Sequence, residues 1–217
     1  RPPPDLGVVS SMFLYRTGGS APENLWGEID VEFIASHPDE FQSNIITGDN
    51  HQTSEQLHLV SPSPSSQFHT YAIEWTPHYI AWFLDGVEVR RDTSAQVAAL
   101  DNIEMNIRFN LWAVVPELAG WAGEFKSESL PIYALYDWFK YFEYTPGEGD
   151  DGTDFTLAYE DNFNTLNTDF WGFGDWSFDV NRATFTKENA LVKGGYLILA
   201  LTDATQEGYD GDCIPSW

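Results

Sequence analysis

The chain has 217 residues, 42% of them apolar and 16% aromatic, which is enough for a sizeable core and excludes a disordered segment. Ten Lys and Arg stand against 34 Asp and Glu, a formal net charge of −24, so the surface repels nucleic acid and other polyanions and favours a neutral partner. No apolar run approaches the roughly 20 residues that a membrane helix needs, so a membrane is not an expected partner either.

Strand-like runs separated by turn signals fill the sequence in order: residues 7–15 (GVVSSMFLY), 28–34 (EIDVEFI), 41–47 (FQSNIIT) and 69–75 (HTYAIEW). Residues 79–91 (YIAWFLDGVEVRR) carry Asp85-Gly86, the signature of a two-residue hairpin turn. A helix is expected only over 93–100, where Thr93 or Ser94 can cap it. Further strand runs cover 104–114, 133–145, 154–163 and 183–202. Many short strands at regular spacing predict a two-sheet β-sandwich. Residues 146–153 (PGEGDDGT) are the one linker by composition. Only about 50 strand-rich residues follow before an acidic tail over 203–217, a marginal core by itself, so they are expected to complete the same single domain. The lone Cys213 forbids a disulfide within the chain. The chain starts at Arg1 with no signal peptide, and a processed or trimmed product is expected.

The stretch NLWGEIDVEFIA (24–35) places Glu28, Asp30 and Glu32 at alternate positions, with Ile29, Val31 and Phe33 between them. Alternate strand residues share a face, so three acids point one way and three apolar side chains the other. Like charges so close raise one another's pKa at a cost in stability. An ordinary strand with a solvated acidic face gives this pattern, and so does a catalytic carboxylate set. Trp26 falls on the acids' face, and the chain has nine tryptophans, among them Trp112, Trp121, Trp171 and Trp176. Core packing accounts for most aromatics. Beside paired acids, flat rings also suit a sugar groove, because a pyranose offers a C–H face for stacking. His69 reads as a buried, hydrogen-bonded structural histidine, and no two histidines have metal-ligand spacing.

GEIDVEF, followed by FQSNIITG, FHTYAIEWTPHYIAWFLDGVEV and IRFNLW, resembles the bacterial 1,3-1,4-β-glucanases (lichenases) of glycoside hydrolase family 16. The likeness covers most of the chain. In the usual family order a segment like DNFNTLNTDFWGFGDWSF…GGYLILAL opens the domain and one like YDWFKYFEY closes it. Here their order is reversed, so the chain is similar to circularly permuted lichenases with the join at about 146–153.

The resemblance implies an all-β jelly roll of two curved antiparallel sheets with a concave substrate groove. It also implies a secreted, endo-acting retaining hydrolase of mixed-linkage β-glucan that needs no catalytic cofactor. Carried over by position, Glu28 is the nucleophile, Glu32 the acid/base and Asp30 the acid that tunes the nucleophile. Phe13, Tyr15, Trp26, Gln42, Asn44, Glu55, Asn110, Trp112 and Trp176 fall at groove positions. Asp137 resembles a side-chain ligand to a structural Ca²⁺, and reads equally well as an ordinary surface acid. The E-x-D-x-E spacing is that of lichenases, whereas many relatives cutting 1,3-linked glucans have one more residue before the second Glu, read as a bulge. Laminarin is the nearest competing substrate, and a non-catalytic glucan-binding jelly roll is the rival from another class. Family members have a further strand pair just ahead of the run 7–15. Its absence here means either a cut or trimmed chain or a fold that tolerates an incomplete sheet. An additional N-terminal peptide of roughly 20 to 30 residues, one or two strands and their turns, is expected with the working molecule, which is expected to be a monomer.

Overall fold

Alternation of apolar and polar residues over 28–33 builds the central strand of a five-stranded sheet in the computed structural model, which describes residues 1–211. Cys213 and the end of the acidic tail lie outside the described residues. The strands are β1 (Val8–Gly19), β2 (Trp26–Ile34), β3 (Glu40–Gly48), β4 (Gln56–Leu59), β5 (Tyr71–Trp75), β6 (Ile80–Leu84) and β7 (Val87–Asp92). The helix α1 (Ala95–Ala99) leads to β8 (Ile103–Ala113), and the short α2 (Ala119–Ala122) precedes β9 (Ile132–Tyr136) and β10 (Phe139–Tyr144). Then come β11 (Phe155–Asp161), β12 (Ala190–Lys193) and β13 (Tyr196–Leu201). The large sheet runs β4-β3-β2-β1-β8, two three-stranded sheets run β5-β6-β7 and β12-β13-β9, and β10 pairs with β11. Every named pairing is antiparallel.

The layers follow from which faces are apolar. Ile29 and Val31, on the side of β2 away from the acids, pack with Phe41, Ile45, Ile80 and Trp82 and with Val97 and Leu100 around α1. Val8, Leu111 and Ala113 pack on Ile132, Ala134 and Leu201 from β9 and β13. The two three-stranded sheets therefore cover one face of the large sheet, and the other face carries the acids. Each apolar side chain fully buried in this way contributes about 1.5–3 kcal/mol. This is the all-β, two-layer antiparallel jelly-roll class expected.

The turns obey local chemistry. Asp85 (φ 49°) and Gly86 (φ 79°) take the left-handed conformations of a two-residue hairpin between β6 and β7. Ser94 caps α1, its hydroxyl accepting from the Gln96 N–H at 3.3 Å.

Two sequence expectations change. The run 133–145 is two strands interrupted at Asp137 and Trp138, because β9 pairs with β13 while β10 pairs with β11. In the run 183–202 only 190–193 and 196–201 are strands, turned at Gly194 and Gly195, both at positive φ. The linker 146–153 is the loop of the β10–β11 hairpin, closed by the Thr145 N–H on the Asp154 carbonyl at 2.7 Å. After it, β13 joins the sheet of β9.

Candidate active site

Register places the acids among specific neighbours. On β2, Glu28 stands opposite Tyr15 of β1, Asp30 lies between Phe13 of β1 and Asn44 of β3, and Glu32 between Ser11 and Gln42. One strand further, Tyr15 pairs with Asn106, Phe13 with Arg108, Ser11 with Asn110 and Val9 with Trp112 of β8. Directly opposed residues share a face. The result is rows of polar and aromatic side chains running across β3, β2, β1 and β8.

A cavity of about 1440 Å³ opens over these rows and continues around the edge strand β8, where Ile107, Phe109, Leu111 and Ala113 of the opposite face also line it. Glu28 and Glu32 line it, together with Phe13, Tyr15, Trp26, Asn110 and Trp112. Asp30 sits deeper in the strand, only 2% exposed. Trp176 reaches the same cavity from the segment between β11 and β12, is 46% exposed, and meets the Phe185 ring edge-on at 5.3 Å. Trp112 is 5% exposed and packs with Val9, Ile34, Val114 and Ala122, its ring 5.1 Å from Phe178. Most of it is therefore core. Asn44 is buried and accepts the Ser54 N–H at 3.0 Å. Gln42 is half-buried beside Glu32, and Glu55 is exposed in the connection between β3 and β4.

The three acids differ in electrostatics. Burial pushes Asp30 well up, and the neighbouring Glu28 and Glu32 charges push it further. Burial and then the Glu28 charge raise Glu32 to about 7, opposed by the neighbouring Ser11 hydroxyl. Burial also raises Glu28, but this carboxyl receives hydrogen bonds from Trp26 and Asp30 and feels the positive charges of Arg108 and His51, all of which favour its ionised form. The Trp26 indole N–H donates to Glu28 Oε2 at 2.6 Å. A proton held on Asp30 and donated to Glu28 resolves the repulsion that the sequence pattern implies.

The model of the glycosyl hydrolases family 16 matches residues 1–128, which include all of β1, β2, β3 and β8. The chain belongs to this family. It is 46% identical over 208 residues to a β-glucanase of Fibrobacter succinogenes (strain ATCC 19169 / S85), covering 94% of this chain and 59% of that protein. A β-glucanase of Paenibacillus macerans is 34% identical over 143 residues, 65% of this chain and 56% of that one. The chain thus spans somewhat over half the length of these curated relatives. Among solved structures, a prokaryotic β-1,3-1,4-glucanase (lichenase) derived from a mouse hindgut metagenome is 32% identical, with a TM-score of 0.47 over 59% of this chain and 56% of that chain.

In this family-16 chain, two groove residues lie outside the motifs legible in the sequence. Asn106 and Arg108 line the cavity, and the Arg108 guanidinium lies 4.4 Å from the Tyr15 ring centroid. Counting back by twos from Asn110 along β8 is the signal that finds both. Phe170 and Phe173 also line the cavity and are exposed. His69 is structural as expected: its side chain is 2% exposed and its ring nitrogens bond Asp85 Oδ2 at 2.8 Å and the Pro62 carbonyl at 2.9 Å. Trp171 donates to Asp161 Oδ2 at 2.8 Å and packs on Phe109 and Phe139.

The calcium expectation is not supported. Asp137 is exposed and lies beside the amino group of Arg1, whose nitrogen donates to the Leu135 carbonyl at 2.6 Å. Among the described residues no group of three or more His, Cys, Asp or Glu could hold a metal ion.

Proposed function

We propose that this chain is an endo-acting retaining β-glucanase that hydrolyses mixed-linkage 1,3-1,4-β-D-glucan. The observation that carries the proposal is the unequal surroundings of two acids on one strand face of the cavity. Glu28 accepts the Trp26 indole N–H at 2.6 Å and lies near Arg108, which favour its carboxylate against burial, while burial and the Glu28 charge raise Glu32 to about 7, so that it holds its proton through mildly acidic pH. A retaining glycosidase needs this division of roles.

In the first step a Glu28 oxygen attacks the anomeric carbon and forms an ester bond. The glycosidic C–O bond breaks, and Glu32 gives its proton to the leaving oxygen. In the second step Glu32, now a carboxylate, takes a proton from water. The water oxygen bonds the anomeric carbon, Glu28 departs as a carboxylate, and Glu32 is protonated again. Asp30 donates its proton in a hydrogen bond to Glu28 throughout. Tyr15, Trp26 and Trp176 offer ring faces to the sugar, and Asn110 and Gln42 offer hydrogen bonds to its hydroxyls.

Mixed linkage is favoured by the strand itself. Pairing of β2 with β1 and with β3 runs without a register shift through Glu28, Asp30 and Glu32, so no bulge precedes the second Glu. The net charge of −24 favours an uncharged polymer. A substrate of polymer size makes secretion the expected location, and we read the 146–153 hairpin as the join of a circular permutation.

Reducing-sugar release from barley β-glucan and lichenan, compared with laminarin, tests the proposal. Release from the first two with little from laminarin is expected, and NMR of early products should show the β-anomer first. Faster release from laminarin would replace the substrate. Binding without release from any glucan would make the chain a glucan-binding jelly roll.

A further inference from the structure

The main chain at Asp30 is held from the side of the sheet opposite the groove. Trp82 of β6 is fully buried within the core cluster that contains Ile29 and Val31, and its indole N–H donates to the Asp30 carbonyl oxygen at 2.8 Å. A phenylalanine could fill apolar space there without bringing a donor that has to be satisfied. The Trp82 ring has its own support. Its cross-strand partner on β7 is Arg90, whose guanidinium carbon lies 4.4 Å from the ring centroid.

Arg90 is buried too, and its charge is fully engaged. Nη1 donates to the Ser43 carbonyl at 3.2 Å and to Ser43 Oγ at 3.0 Å, while Nη2 donates to Ser54 Oγ at 3.0 Å and Asp92 Oδ2 at 2.9 Å. Ser43 pairs with Val31, the residue after Asp30. A buried cation is tolerated only when paired and hydrogen-bonded in this way, so its place is defined. Arg90 therefore fixes Trp82 to β3, and Trp82 fixes β2 midway between Glu28 and Glu32.

We propose that Trp82, braced by Arg90, is a positioning residue for the acids: its indole N–H sets the main chain at Asp30 and so aims the Asp30 carboxyl at Glu28. The proposal rests on the catalytic roles given above. Its consequence reaches the groove through one hydrogen bond. If the Asp30 peptide can rotate, the bond from Asp30 to Glu28 loosens, and Glu28 loses a group that favours its ionised form. The other charged or titratable groups around Glu28 are Glu32, Tyr15, Arg108 and His51, none of which touches Trp82 through an observed contact.

Site-specific replacement of Trp82 by 3-benzothienylalanine keeps the bicyclic shape and removes the donor, and Trp82→Phe is a second variant. The expected result for each is a fall in kcat of about 3- to 10-fold, the worth of one hydrogen bond, with KM for barley β-glucan nearly unchanged. The acidic limb of the kcat/KM profile should move to higher pH. Carboxyl ¹³C NMR titration without substrate should show Glu28 titrating at higher pH than in the wild type, a readout that survives even if the wild type cleaves no glucan. An unchanged kcat, pH profile and Glu28 titration, with only a lower Tm, would overturn the proposal. If neither variant folds, hydrogen exchange of the Trp82 indole in the wild type decides: slow exchange supports the bond, and exchange at the rate of a free indole overturns it.

Discussion

Trp26 and Glu28 stand two residues apart on one strand face and are joined by a 2.6 Å hydrogen bond from the indole nitrogen to the carboxylate. The aromatic residue next to the acids thus acts on the proposed nucleophile as well as on the groove proposed for the sugar. Its ring is held in turn by Tyr15, edge-on at 5.3 Å. Loss of Trp26 should therefore lower kcat as well as raise KM.

Glu28→Gln and Glu32→Gln should each reduce kcat about 100-fold or more, because each removes a chemical role and little volume. Glucan binding, followed by affinity electrophoresis, should survive. Near-normal turnover in either variant would refute the assignment.

Glu32 also makes a prediction about pH. Its pKa is raised in the folded state, so the folded protein holds a proton that the unfolded chain releases near its ordinary value of 4.5. Stability from this group is present below about 4.5 and is lost as pH rises toward 7. Glu32→Gln removes that loss, so the variant should be more stable than the wild type at pH 8 by on the order of 1 to 3 kcal/mol. At pH 4 the two should unfold at similar urea concentrations. For activity, the alkaline limb of kcat/KM should fall near pH 7, where the acid deprotonates.

Trp112 and Trp176 should separate packing from binding. Trp112→Ala empties a core site and should cost about 3–5 kcal/mol, read as a lower Tm. Trp176→Ala, at a half-exposed position on the cavity, should leave Tm nearly unchanged and raise KM about 2- to 10-fold. Equal Tm losses in both would place Trp176 in the core instead.

Arg108→Gln removes the positive charge that favours the Glu28 carboxylate. Glu28 should then titrate at higher pH, and the acidic limb of the kcat/KM profile should shift with it. An unmoved limb would show that Arg108 serves only to hold Tyr15.

The acid strand was legible because its period of two is unbroken from Glu28 to Phe33 and Ile29, Val31 and Phe33 are buried or half-buried behind it. The Asp85-Gly86 hairpin and the Ser94 cap were equally legible, since both are set by chemistry within a few residues. β4 was not, because QLHL is short, exposed and held as a strand only by pairing with β3. Residues 183–189 look as strand-like as 196–201, and only tertiary pairing tells them apart. At the site, position showed which way the acids point. The burial of Trp112, the Arg108–Tyr15 contact and the support of Asp30 by Trp82 all depend on strands distant in sequence.

Of the three glycines in the loop joining β10 to β11, Gly147 and Gly152 stand at positive φ with nothing near the space a side chain would fill. None of its residues lines the cavity of the acids. Opening the backbone there, or inserting a second module, would leave every charge in the groove where it is. The loop is therefore a natural seam for rewiring this chain: a tether for a carbohydrate-binding partner or a new pair of termini could be placed in it without altering the chemistry.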